Sequence, residues 1–193
     1  IYVTGWFDSN VGDLIVDSTD TETITAPSST GSDDIFIAKY ISDGTLQWIR
    51  TIGSVDTDKT FDIEVYNGEV YVSGYFSDVL HWGSIDLVTE GPGDQDMFVG
   101  SLSLDGEYRS ANSTGGKAGE ASTEEAHSIF HNGDDLLTVI ATNTTQLELE
   151  DSHFYFNPSG VYFVAVGIIG CRGISIDNVI TSPASKLLSC FED

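Results

Sequence analysis

The chain has 193 residues, 40% hydrophobic and 11% aromatic, so it can bury a sizeable core and is too apolar for a disordered acidic tail. Its 31 acidic residues against 7 basic ones leave a formal net charge of −24. Such a surface repels phosphate backbones and anionic lipid, which argues against nucleic-acid partners and favours cations and basic or neutral surfaces. No apolar run reaches the ~18 residues of a membrane span. Neither a signal peptide nor an initiating Met opens the sequence, which reads as a piece of a longer polypeptide.

In chain order, the first predicted strand is IYVTGWF, Ile1 to Phe7. A Thr-, Ser- and Asp-rich stretch to Gly31 follows, with Leu14-Ile15-Val16 and Thr23-Ile24-Thr25 as β-prone islands. DIFIAKYISDG, Asp34 to Gly44, gives a strand and a turn, and the next strand passes Trp48 and ends at Gly53-Ser54. Phe61 to Tyr66, the turn Asn67-Gly68 and the run Val70 to Phe76 make a hairpin, because Asn-Gly suits a tight turn needing positive φ. Ser77 to Gly93 is a second variable stretch, read as a decorated loop with a small edge hairpin. Asp96 to Leu104 and Tyr108 to Ser113 form another pair about Asp105-Gly106.

The chain repeats itself. IYVTGWF matches VYVSGYF at Val70 to Phe76, and DIFIAKYISDG matches DMFVGSLSLDG at Asp96 to Gly106. A fainter third copy runs from AHSIFHNG at Ala126 through LLTVIAT at Leu136 to VYFVAV at Val161. Phe36, Phe98 and Phe163 are equivalent and lie 62 and 65 residues apart. Such a period, with four strands per unit, points to an all-β fold of antiparallel four-stranded blades of a β-propeller, since one small sheet cannot bury both faces until neighbours stack on it. The expected blades are about 1–54, lacking its first strand, about 55–116 and about 117–166, followed by a C-terminal segment 167–193. About three blades do not close a ring, so closure must come from further chain or another copy.

Residues that could carry chemistry are few. His81 beside Trp82 is the most ligand-like pair, with packing as the other reading. Asp56-Thr57-Asp58 and Asp94-Gln95-Asp96 are the best local carboxylate pairs for a cation such as calcium. A solvated surface is the favoured account of the acids, because no Asp-x-Asp-x-Asp-Gly loop with a distal Glu is present. His127 and His131 would share a metal face on a helix, but on the expected strand they stand about 13 Å apart, too far to grip one ion. No nucleophile elbow, Walker loop or dinucleotide fingerprint occurs, and no catalytic residue is assigned. Asn112 and Asn143 head glycosylation sequons. Cys171 and Cys190 fit a disulfide closing a loop of about twenty residues in an extracellular chain, with free buried thiols as the alternative.

Tyr2-Val3-Thr4-Gly5, Gly31 to Tyr40 and Asp43-Gly44 with Trp48, repeated as Tyr71-Val72-Ser73-Gly74, Gly93 to Val99 and Asp105-Gly106, resemble the β-propeller repeat called SBBP, common in large secreted and surface proteins of bacteria. The likeness covers about residues 1 to 116 and fades to residue 166. Ser110 departs from the family's usual Trp, and Ala141 and Val161 replace its Gly and Asp. The resemblance implies a propeller architecture and a role in binding or display, with shared positions that are structural. Asp34 and Asp96 sit where a side-chain oxygen could bond the backbone at the start of a strand. Gly5 and Gly74, inside strands, suggest a bulge or a close neighbouring backbone. The expected function is a non-catalytic binding or scaffolding module of a secreted or cell-surface protein, with protein or carbohydrate partners. The alternatives are a filament subunit assembling through open edges, and a polysaccharide hydrolase or lyase with carboxylates in a central channel.

Overall fold

The computed structural model describes residues 1–8, 14–15, 23–24, 32–89, 91, 93–115, 123–131, 136–142, 146–149, 152–155, 162–165, 168–170 and 173–175. These residues form antiparallel sheets and no helix. The first sheet has the order β1 (Tyr2–Asp8), β4 (Asp33–Tyr40), β5 (Leu46–Ile52), with the short hairpin β2 (Leu14–Ile15) and β3 (Thr23–Ile24) between its first two strands in sequence. The second runs β6 (Lys59–Tyr66), β7 (Glu69–Ser77), β10 (Gln95–Ser103), β11 (Tyr108–Thr114), with hairpin β8 (Val79–Trp82) and β9 (Ile85–Val88) between β7 and β10. In the third, β12 (Glu124–His131), β13 (Leu136–Thr142) and β16 (Tyr162–Ala165) pair in turn, and hairpin β14 (Gln146–Leu149) and β15 (Ser152–Tyr155) lies between β13 and β16. The last pair, β17 (Ile168–Gly170) and β18 (Gly173–Ser175), stands as its own two-stranded ribbon.

Register makes the three sheets copies of one another. Gly5 faces Phe36, Gly74 faces Phe98 and Ala141 faces Phe163 on paired strands. The turns explain why the strands reverse where they do. Asn67 and Gly68 both have positive φ, at 49° and 82°, which an Asn-Gly hairpin turn requires. Asp43 accepts a 2.9 Å bond from the Thr45 amide, and this bond, with one from the Thr45 hydroxyl, lowers its pKa.

The core lies where the first and second sheets stack. Ile35, Ile37 and Ile52 from one meet Val72, Phe76, Phe98 and Leu102 from the other, and Leu80, Trp82 and Leu87 of the β8–β9 hairpin close over them. β10 is buried without a break from Asp96 to Leu102, so its two faces are both covered. Trp82 sits edge-on to Tyr108 at 5.6 Å and tilted against Phe98 at 5.9 Å, with its indole N–H bonded to the Ser101 carbonyl at 3.2 Å.

Polar groups lock the two seams. Across the first, the Lys39 ammonium, the Trp48 indole and the Arg50 guanidinium donate to the Leu104 and Gly106 carbonyls of one turn at 2.7, 3.1 and 2.8 Å. A Cβ at Gly106 would meet the Trp48 ring, and its φ of 79° is a second reason for glycine there. Across the second seam, Asp62 accepts from the Ser128 hydroxyl at 2.9 Å and the Ile129 amide at 3.0 Å.

Trp82→Ala should therefore lower stability by about 3–5 kcal/mol in urea unfolding, through lost burial and a cavity. Val88→Ala on the exposed side of the same hairpin should stay within about 0.5 kcal/mol.

Candidate functional site

Segments that are far apart in sequence converge at one end of the second sheet. Asp56 and Thr57 come from the stretch before β6, Ser77 and Asp78 from the end of β7, Gly93 and Gln95 from the start of β10, and Thr123 from the start of β12. They line an open cleft of about 530 Å³. Two of the seven adopt positive φ, Asp78 at 63° and Gly93 at 88°, so sharp turns set their positions. Among the described residues the lining offers carboxylates, hydroxyls and an amide, and no Lys, Arg or His. That chemistry suits a neutral hydroxylated or positively charged ligand and disfavours an anion.

Beneath the cleft, Ser54 and Asp58 tie its walls together. The Ser54 hydroxyl accepts from the Asp56 amide at 3.2 Å and donates to the Ser77 carbonyl at 3.5 Å. Asp58 accepts from the Ser77 amide at 3.3 Å through Oδ1, and its own amide donates to the Asp33 carbonyl of the first sheet at 2.8 Å. The Asp58 side chain is fully buried, and Oδ2 has no hydrogen-bond partner among the described residues. Burial pushes its carboxyl up to about 7, the Asp34 charge adds to the rise, and the bonds from Ser77 and Ser54 oppose it. Burial, with Glu125, Asp33 and Asp58, likewise pushes Tyr75 up to about 12.

The residues singled out from sequence have clear places. Asp56 lines the cleft, while Asp58, Asp94 and Asp96 are buried near the same end of the sheet. Among the described residues no three carboxylate, thiol or imidazole groups converge as metal ligands. Asp34 and Asp96 are buried against Gly53 and Gly115, where any Cβ would collide with the carboxyl. These two glycines were not anticipated, yet each lies 19 residues after its Asp, a signal present in the repeat. Trp82 follows its packing reading: it is fully buried under Gly100, because the alternation along β8 turns Leu80 and Trp82 inward. His81 points outward and pairs with Asp86 at 2.8 Å.

His127 and His131 lie on a strand, as read from the repeat, and stack on Phe61 and Tyr66 at 4.6 and 5.0 Å. Gly74 lacks a Cβ because one would run into the Lys59 carbonyl of β6, and Gly5 faces the Phe36 ring. Asn112 is half-buried on β11. Phe163 is placed by its backbone pairing alone. Asn143, Cys171 and Cys190 lie outside the described residues. No helix among the described residues is long and apolar enough to cross a membrane. No protein-family model and no curated protein matches the chain.

The buried carboxyl has a measurable consequence. Unfolded, Asp58 ionises near 3.8; folded, near 7, so folding takes up a proton between those values. Its contribution should therefore fall as pH rises from about 4 to about 7 and stay level above. Asp58→Asn should be as stable as the parent near pH 4 and more stable above pH 7, by about 4 kcal/mol at most. Denaturant midpoints of the two chains across pH 4–8 check this, the difference cancelling the other acids.

Proposed function

We propose that the chain is a non-catalytic binding or scaffolding module of a secreted or cell-surface protein, built from β-propeller repeats of the SBBP type. The observation that carries this reading is the shared register of Phe36, Phe98 and Phe163 against Gly5, Gly74 and Ala141, with a hairpin inserted at the same point of each sheet. Copies of one sheet stacked in series bring the ends of their strands together, and loops at such ends make ligand surfaces. The oxygen-lined cleft is that surface here. Its partners are a carbohydrate or a protein segment that is neutral or positively charged.

A glycan array spanning neutral, amino and anionic sugars tests the proposal. Binding is expected on neutral or amino sugars and not on sulfated or carboxylated ones. Gln95→Ala and Asp56→Asn should each weaken it about tenfold, the scale of one buried hydrogen bond to a charged or amide group. Retention of anionic glycans, or binding untouched by both substitutions, would remove the cleft from the account.

A further inference from the structure

Residues 53–58 join β5 to β6 and so cross from the first sheet to the second. The segment is weakly fastened for a part that spans two sheets. Its one large apolar side chain, Val55, is 62% exposed, so no apolar group ties it to the core. The Ser32 hydroxyl donates to the Ser54 carbonyl at 3.4 Å, the Ser54 hydroxyl to the Ser77 carbonyl at 3.5 Å, and the Ser77 amide to Asp58 Oδ1 at 3.3 Å. All three are longer than the roughly 3 Å of a well-formed bond. Among the described residues its one short bond to another element is the 2.8 Å bond from the Asp58 amide to the Asp33 carbonyl of β4.

The residue that makes this bond also carries the segment's fully buried carboxyl, with Oδ2 unpaired among the described residues. Beyond the binding reading, and without assuming any ligand, we propose that residues 53–58 are a proton-operated latch, seated on the first sheet while the Asp58 carboxyl is neutral and lifted from it when that carboxyl ionises.

A charge on Asp58 is costly where it stands. An ionised carboxylate needs donors for both oxygens, and the joint gives it a long bond to one and nothing to the other. The charged and titratable groups around it are Asp33 and Asp34 on β4, Asp56 in the segment, Lys59 on β6, Tyr75 on β7 and, beyond Tyr75, Glu125 on β12. Lys59 is engaged elsewhere, with the Asp33 carboxylate at 2.8 Å and the Trp6 ring at 3.8 Å. Burial first, and the Asp34 charge after it, therefore keep Asp58 neutral up to about pH 7. Lifting the segment carries Oδ2 to water and breaks one short backbone bond, with no apolar side chain to uncover. Asp56 and Thr57 belong to the segment, so its release moves one wall of the cleft.

The test is hydrogen exchange in the full 193-residue chain from pH 4 to 8, expressed as protection relative to an unstructured chain so that the intrinsic pH dependence cancels. Protection of the Asp58 amide should fall about tenfold per pH unit between about 4 and about 7 and level off above, because the lifted carboxyl ionises near 3.8 and the seated one near 7. Low urea should leave it unchanged, since a lifted segment exposes little surface. The Ile129 amide, bonded to Asp62 across the second seam, should stay better protected at each pH and lose protection in urea. In Asp58→Asn the pH dependence at position 58 should vanish. Three results overturn the proposal. Protection of the Asp58 amide is flat with pH; or it matches that of Ile129 in both pH and urea dependence, so that the segment opens only with the whole fold; or Asp58→Asn keeps the pH dependence, which assigns it to another acid.

Discussion

A strand that is apolar on both faces has to be covered on both, and this requirement shapes the molecule. β10 is buried from Asp96 to Leu102 and β7 from Val72 to Phe76, so the second sheet is stable only with material stacked on each side. The first sheet and the β8–β9 hairpin supply one cover through Ile35, Ile37, Leu80 and Trp82. The third sheet packs at β12, where Asp62 receives Ser128 and Ile129. Each sheet is thus part of its neighbour's core, which is why one register recurs in all three.

Repetition also exposes where the two seams differ. The amide of Asp58 bonds to the Asp33 carbonyl at the first seam, and Thr123 bridges to Gln95 at the corresponding place in the second. Asp34 and Asp96 are equivalent buried carboxyls beside them. At the bridging position itself the first seam has an acid, Asp58, and the second a hydroxyl, Thr123, with Glu124 buried beside it. A carboxyl withdrawn into a dry joint is costly to charge. The rise at Asp58 comes first from its burial in that joint, to which the Asp34 charge adds.

What could be read from residues alone was local. Asn67-Gly68, Asp43-Gly44 and Asp105-Gly106 place their turns by φ preference, and the islands at Leu14 and Thr23 are the short hairpin β2–β3. The Phe repeat gives the strand order, because side-chain direction alternates and a one-residue slip would reverse every face. Trp82 kept two readings, ligand contact and packing, since an aromatic next to a His looks the same whether it lies in a loop or on an inward position of a hairpin. The cleft was beyond reach for a different reason: Asp56, Asp78 and Thr123 meet only after the sheets have stacked. Asp58, named from sequence only as part of a local carboxylate pair, is withdrawn from solvent by the same stacking.

Cations are scarce in this chain, and three of the seven sit at one joint. Lys39 and Arg50 hold the Leu104–Gly106 turn, and Lys59 lies between the Asp33 carboxylate at 2.8 Å and the Trp6 ring at 3.8 Å. Acetylating an amine removes its charge and its ion-pair donor. Loss of charge at Lys39 and Lys59 would consequently bear on the joint between the first two sheets, whereas the Asp62 clasp to the third is made by a carboxylate, a hydroxyl and an amide.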